Sequence, residues 1–128
     1  MKKLFTLLAA VMVATSVFAG EFPDISVTEV KALVESKKAV FIDVNGSQSF
    51  AKGRIPGALD YAAIKANLAD SLPKDKNTLI VAYCGGPKCK AYQAAADAAA
   101  KLGYKNVKHM SAGISGWKEA GQKLEKNS

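Results

Sequence analysis

The sequence predicts one α/β domain with a central, mostly parallel β-sheet and helices on both of its faces. Two short apolar runs, residues 39–44 and 78–83, are typical of strands that are buried on both sides. Helical patterns alternate with these runs, which implies crossover connections and therefore parallel strand pairing. The chain has 128 residues, of which 49% are hydrophobic and 23% charged, as expected for a single globular domain.

The first half of the chain predicts a helix, a strand and a series of turns. Ser26 and Glu29 form the pattern of a capping box, which begins a helix with an apolar face made of Val27, Val30, Leu33 and Val34. The buried strand at residues 39–44 follows. The remaining segments, in chain order, are a turn at residues 45–48 (NGSQ), a tight bend at 53–58 (GRIPGA) and a weakly helical stretch at 61–72.

The second half begins with the other buried strand, residues 78–83, which ends directly before Cys84. After a Gly-Pro loop, the alanine-rich stretch up to Gly103 gives the strongest helix pattern of the chain, with that glycine at its C-terminal cap. A short strand at residues 106–110 with Val107 inward and a helix at 114–123 complete the domain. We expect Trp117, on the last helix, to lie in the core.

The first 19 residues have the pattern of a cleavable secretory signal. Lys2 and Lys3 precede an apolar run, and the tripeptide VFA ends at Ala19, where a signal peptidase would cut. The apolar run is shorter than the roughly 20 residues that a membrane span needs. We therefore expect residues 20–128 to form an exported domain, periplasmic or secreted, that makes no membrane contact after processing.

The charge of the chain favours small anionic ligands over nucleic acid. Removal of the leader takes away two lysines and no acid, which lowers the formal net charge from +7 to +5. The lysines are scattered and are not interleaved with aromatic residues, so we expect no nucleic-acid partner. A moderately basic surface can still raise the local concentration of small anions.

The segment AYCGGPKCKA predicts a nucleophilic cysteine. Cys84 follows a buried strand and precedes a glycine-rich loop that leads into a helix, which is where open α/β sheets place ligands. Gly85 and Gly86 would let backbone N–H groups converge on the sulfur, and Lys88 and Lys90 add positive charge. Such surroundings favour the thiolate, while an inert buried thiol is the alternative.

Cys89 allows three interpretations. It is a candidate resolving thiol that forms a disulfide with Cys84, it is one end of a static disulfide or a small residue at a helix start, or it joins His109 in a metal site. The metal is disfavoured, because His109 is predicted on a strand away from the loop and a fourth ligand is missing. We therefore expect no metal and no cofactor.

Three segments, taken in order, resemble those of single-domain rhodaneses, a family of sulfurtransferases. These segments are FIDVNGSQSFAKGRIPGA (41–58), YCGGPKCKA (83–91) and LGYKNVKHMSAGISGW (102–117). The resemblance implies a rhodanese-like fold with Cys84 at the position that carries a persulfide. It also implies a sulfur donor, such as a polysulfide or thiosulfate, and a thiophilic acceptor, such as cyanide or a thiol. Gly85, Gly86, Lys88, Cys89 and Lys90 would then form the substrate-binding loop.

Several positions depart from the family pattern. Asn45 stands where the family usually has Arg, and Arg54 where it usually has His, and we expect both to be structural or peripheral. Cys89 replaces an arginine that many thiosulfate-using members carry. A lysine cannot replace the planar, bidentate binding of an oxyanion by that guanidinium. Lys90 stands where phosphatase relatives have arginine, so phosphate-ester hydrolysis is not expected. A sulfur carrier without fast turnover and a thiol–disulfide redox protein stay open as alternatives.

Other residues near the loop have less specific expectations. Asp43 ends the first buried strand, where we expect it to fix a turn. Tyr83 and Tyr92 flank the loop in sequence, and we expect them to line the site.

Overall fold

A computed structural model describes residues 22–127, so the leader predicted at residues 1–19 lies outside the described residues. Four parallel strands form the sheet in the order β2-β1-β3-β4. Their bounds are β1 Ala39–Asp43, β2 Leu59–Asp60, β3 Leu79–Tyr83 and β4 Asn106–His109. The prediction of a parallel α/β sheet is confirmed, and β3, which leads to Cys84, is one of its two inner strands.

The helices of residues 22–127 are α1 Val27–Ser36, α2 Ser47–Lys52, α3 Tyr61–Ile64, α4 Leu68–Ser71, α5 Tyr92–Lys101 and α6 Gly113–Glu119, with a 3-10 turn at Lys65–Asn67. The predicted capping box of α1 is present. The Glu29 N–H donates to Ser26 Oγ, the Ser26 N–H donates to Glu29 Oε1, and both distances are 3.1 Å. Gly103 follows α5 with a φ of +100°, the conformation expected of a glycine that ends a helix. Within the described part of the chain, no helix is long and apolar enough to cross a bilayer.

Alternating side chains of the strands build one core on each face of the sheet. Ile42 and Ile80 pack with α4 and α5 on one face, whereas Phe41 and Val81 pack with α1 and α6 on the other. Trp117 belongs to the second core, where it is 2% exposed and its indole N–H donates to a carbonyl oxygen. The predictions of helices on both faces and of a buried tryptophan are confirmed.

The segment between β1 and β3 differs from the sequence-based prediction in two places. Residues 45–48 were predicted as a turn, but only Asn45 and Gly46 turn, because Ser47 already begins α2. No residue of α2 is buried, so this helix has no apolar periodicity that the sequence could show. The bend at residues 53–58 is confirmed, and it delivers the chain into β2, a two-residue strand that was not predicted. The final helix is shorter than expected, since α6 ends at Glu119.

Candidate active site

Cys84 lies at the carboxyl edge of the sheet, directly after β3, and is only 3% exposed. β1 ends beside it, since Asp43 pairs with Tyr83 in the parallel register. The loop that follows, residues 84–91, connects β3 to α5 and is called the cysteine loop below. The position of the loop is the one that the sequence predicted, because ligand sites of open α/β sheets lie at the carboxyl ends of inner strands.

The cysteine loop is attached to the first turn of α6. The carbonyl oxygen of Cys84 accepts a hydrogen bond from the Ile114 N–H at 2.8 Å, and that of Gly85 accepts one from the Ser115 N–H at 3.0 Å. These donors belong to the first turn of a helix, where N–H groups have no partner inside the helix. The two contacts hold the loop backbone against a segment about 30 residues further along the chain.

Gly113 allows this close approach. Its φ is +66°, and a Cβ atom built on it would lie 2.6 Å from the carbonyl carbon of Gly85. Real Cβ atoms do not come so near to backbone, so any other residue here would push the loop away. Sequence analysis did not single out Gly113 or Ser115, although both belong to the GISGW segment that carried the family resemblance.

Several N–H groups of the cysteine loop have no hydrogen-bond partner within residues 22–127. Among the residues that the structure describes, the N–H groups of Gly85, Gly86 and Lys88 donate to no acceptor. Lys88 and Lys90 are exposed. The loop therefore offers free N–H donors and positive charge beside a buried sulfur, whereas convergence of those donors on the sulfur stays a prediction.

Cys84 and Cys89 form a disulfide, with their Cα atoms 6.3 Å apart. The Cys89 N–H donates to the carbonyl oxygen of Gly86 at 3.1 Å, which makes the turn that brings the second cysteine back to the first. Cys89 is half-buried, so it is the more accessible of the two. Of the alternatives that the sequence left open, the paired cysteines are the arrangement present. Within residues 22–127, no group of three or more His, Cys, Asp or Glu side chains could hold a metal ion.

A buried polar network joins the ends of β1 and β3 behind the loop. The Tyr83 hydroxyl donates to Asp43 Oδ2 at 2.7 Å and accepts from the Ile55 N–H at 3.1 Å. Asp43 Oδ1 accepts from the Asn45 N–H at 2.8 Å, which confirms that Asp43 fixes the turn after β1. Burial raises the pKa of Asp43, and the hydrogen bond from Tyr83 opposes this shift. The expectation that Tyr83 lines the site is wrong, because its side chain points into the core.

His109 lies closer to the loop than the sequence indicated. Its ring stacks on that of Tyr92, the first residue of α5, with centroids 4.2 Å apart and planes within 7° of parallel. In the sheet, His109 pairs with Ala82, two residues before Cys84. Its Nδ1 atom is buried and has no hydrogen-bond partner among the described residues. Burial lowers the pKa of His109, and the carboxylate of Asp24 opposes this shift only in part.

The two departures from the family pattern that lie outside the cysteine loop have different roles. Asn45 was expected to be structural or peripheral, yet it faces the loop, because its Oδ1 atom is 3.7 Å from where a Cβ of Gly85 would stand. Arg54 is structural, as expected. Its guanidinium donates to the Asn127 side chain at 2.9 Å and pairs with Glu125 at 3.6 Å, which holds the C-terminal segment against the bend.

Comparison with known proteins agrees with this architecture. Residues 26–120 match the sequence model of the rhodanese-like domain, and the chain belongs to this family. It is 32% identical over 122 residues to the uncharacterized protein YibN of Escherichia coli strain K12. The matched region covers 92% of this chain and 82% of YibN.

Solved structures of similar fold include a bacterial and a human protein. The BH2092 protein of Bacillus halodurans matches with a TM-score of 0.71 and 24% identity, over 81% of this chain and 77% of BH2092. The human single-domain sulfurtransferase TSTD1 matches with a TM-score of 0.59 and 26% identity, over 76% of this chain and 96% of the human one. The fold is therefore that of rhodanese-like single-domain proteins.

Proposed function

We propose that the protein is a sulfurtransferase that moves sulfane sulfur from an anionic donor to a thiophilic acceptor through a persulfide on Cys84. The observation that carries this proposal is the place of Cys84, a buried residue at the start of the cysteine loop. Within residues 22–127, several N–H groups of this loop have no hydrogen-bond partner. Membership of the rhodanese-like family and similarity to a protein named as a sulfurtransferase support it.

The proposed reaction has two displacement steps at sulfur. The Cys84 thiolate of the reduced protein attacks the outer sulfur of the donor, and the rest of the donor leaves with the electron pair of the broken bond. The acceptor then attacks the outer sulfur of the persulfide, and the Cys84 thiolate leaves. The free N–H groups of Gly85, Gly86 and Lys88 are the donors available to the persulfide anion between the two steps.

The charge of the loop bears on the class of donor. Lys88 and Lys90 are exposed and attract anions, but an ammonium group does not bind two oxygens in one plane as a guanidinium does. A polysulfide carries its charge on terminal sulfur and needs no bidentate donor. Thiosulfate carries charged oxygens, which a guanidinium would bind better than an ammonium group. We therefore propose a polysulfide as the preferred donor and thiosulfate as a weaker one, with a thiol or cyanide as the acceptor.

Intact-mass measurement of the protein tests the proposal. The reduced Cys89→Ser variant, freed of reductant and exposed to polysulfide, should gain the mass of one sulfur atom on Cys84. Cys84→Ser should gain none, and cyanide should remove the added sulfur as thiocyanate. A persulfide that forms but turns over negligibly would favour a sulfur carrier, and sulfur uptake by Cys84→Ser would show the proposal to be wrong.

A thiol–disulfide redox protein is the second candidate, because the Cys84–Cys89 disulfide is present. This function needs both cysteines, so Cys89→Ser should abolish it. Sulfur transfer needs only Cys84 as nucleophile. Retention of cyanide-dependent thiocyanate formation in Cys89→Ser would therefore favour the sulfurtransferase.

We also propose that the protein acts after export, in the periplasm or outside the cell. The proposal rests on the sequence pattern of residues 1–19 alone. N-terminal sequencing of the protein from a periplasmic fraction should find Gly20 as the first residue, and an intact Met1 would contradict it.

A further inference from the structure

The disulfide between Cys84 and Cys89 points to a second reaction of the same loop. We propose that Cys89 discharges the Cys84 persulfide and releases its outer sulfur as hydrosulfide, and that an external dithiol then reopens the disulfide at Cys89. This inference rests on the proposed persulfide of Cys84. It makes the protein a reductase of sulfane sulfur whenever no acceptor reaches the persulfide first.

The geometry places Cys89 within reach of the inner sulfur of the persulfide. The two sulfur atoms are bonded to each other while the remaining contacts of the loop are also formed. The Cys89 N–H keeps its bond to Gly86, and the carbonyl groups of Cys84 and Gly85 keep theirs to α6. The attack of Cys89 therefore needs no release of the loop from α6, and a thiol held this close has a high effective concentration.

The reaction balances without another oxidant or reductant. Cys89 gives up its proton and attacks Sγ of Cys84, and the bond between that Sγ and the outer sulfur breaks. The outer sulfur leaves with the electron pair, takes the proton and becomes hydrosulfide. Counted as sulfane sulfur held by a thiolate, the outer sulfur gains two electrons, and the two cysteines lose two electrons as they pass from thiols to the disulfide. A persulfide anion and a thiol are thus converted to a disulfide and HS⁻.

Unequal exposure of the two cysteines decides where the disulfide is reopened. Cys84 is 3% exposed, whereas Cys89 is half-buried and sits in sequence between the exposed Lys88 and Lys90. A thiolate must approach the attacked sulfur along the S–S axis, so access selects Cys89. The two lysines attract the incoming anion to the same side. The mixed disulfide then forms on Cys89, and Cys84 leaves as the thiolate that the next donor requires.

Single-turnover loading under anaerobic conditions tests the release of hydrosulfide. Reduced wild-type protein and Cys89→Ser are treated with polysulfide, desalted rapidly and followed by intact mass and by assay of sulfide. The wild type should end as the disulfide and release about one hydrosulfide per chain. Cys89→Ser should keep the mass of one added sulfur and release none, because only one thiol remains in that variant.

The outcomes separate this inference from the function on which it rests. A persulfide that is equally stable in wild type and in Cys89→Ser would overturn the inference and leave the sulfurtransferase intact. Failure of Cys89→Ser to take up sulfur, with its fold retained by circular dichroism, would remove the proposed persulfide itself.

A second measurement tests the site of reopening. The oxidised wild type is treated with limiting glutathione, quenched with acid and digested with trypsin, which can cleave after Lys88 and so separate the two cysteines. The glutathione adduct should lie on Cys89. An adduct that lies mainly on Cys84 would show that access does not select the attacked sulfur, and would refute this part of the proposal.

Discussion

Substitution of Tyr83 by Phe removes one hydroxyl group from the buried junction behind the cysteine loop. That hydroxyl donates to Asp43 and accepts from the Ile55 N–H, at 2.7 and 3.1 Å. All three residues are 0% exposed, so water cannot replace the lost partner unless the core opens. The ring itself stays, and the packing of Tyr83 in its core is otherwise conserved.

The cost follows from the two groups that lose their partner. A buried polar group without a hydrogen bond costs about 1–3 kcal/mol, so an orphaned carboxylate oxygen and an orphaned N–H together cost about 2–6 kcal/mol. Asp43 keeps its bond from the Asn45 N–H, which limits the loss. Small domains are stable by only about 5–15 kcal/mol, so Tyr83→Phe should remove a large fraction of the free energy of unfolding.

Urea unfolding followed by the fluorescence of Trp117, the single tryptophan of the chain, measures this loss. Tyr61→Phe is the matched control, because its hydroxyl makes one long bond of 3.4 Å to a carbonyl oxygen at an exposed site. The control should change the free energy of unfolding by less than about 0.5 kcal/mol. If both variants lose the same small amount, the network does not stabilise the junction and the reasoning is refuted.

The effect should also depend on pH, with a definite sign. Burial raises the pKa of Asp43, so the stability due to this group is fully present below its unfolded pKa and is lost as the pH rises through its folded pKa. The hydrogen bond from Tyr83 lowers that pKa by favouring the carboxylate, and the variant lacks this bond. The deficit of Tyr83→Phe relative to wild type should therefore be larger at about pH 7 than at about pH 4.

Two further predictions concern the loop support and the buried ring. Gly113→Ala should abolish sulfur uptake, because its methyl group would displace Gly85, whereas Gly103→Ala has the same kind of positive φ but open space around it and should keep the activity. Both variants share a backbone strain of about 1–2 kcal/mol, so equal activities would show that the contact with the loop is unimportant. His109, the only histidine, should titrate below 6.5 by NMR, since burial lowers its pKa. The free energy of unfolding should then fall as the pH drops below about 6.5, and His109→Phe, which can still stack on Tyr92, should lose this dependence. A pKa at or above 6.5 would contradict the burial argument.

Local patterns in the sequence were enough to predict most of the elements that build the sheet and its cover. The capping box of Ser26, the apolar runs of β1 and β3 and the alanine-rich α5 each act within a few residues, so their signals are readable without the fold. The helix α2 and the strand β2 were missed because neither has such a local pattern. The first has no buried residue, and the second has only two residues, which the preceding bend places beside β1.

The place of Cys84 was determined by the sequence itself, because a strand followed by a glycine-rich turn must end at the carboxyl edge of a parallel sheet. The tertiary structure alone decided what surrounds it. Gly113 and the first turn of α6 reach the loop across about 30 residues, and the register of β4 brings His109 onto Tyr92, the residue directly after the loop. Such contacts depend on strand register and on packing between distant segments, and no window of adjacent residues contains them. Spacing allowed the two cysteines to meet, but only the turn of the folded loop brought them together.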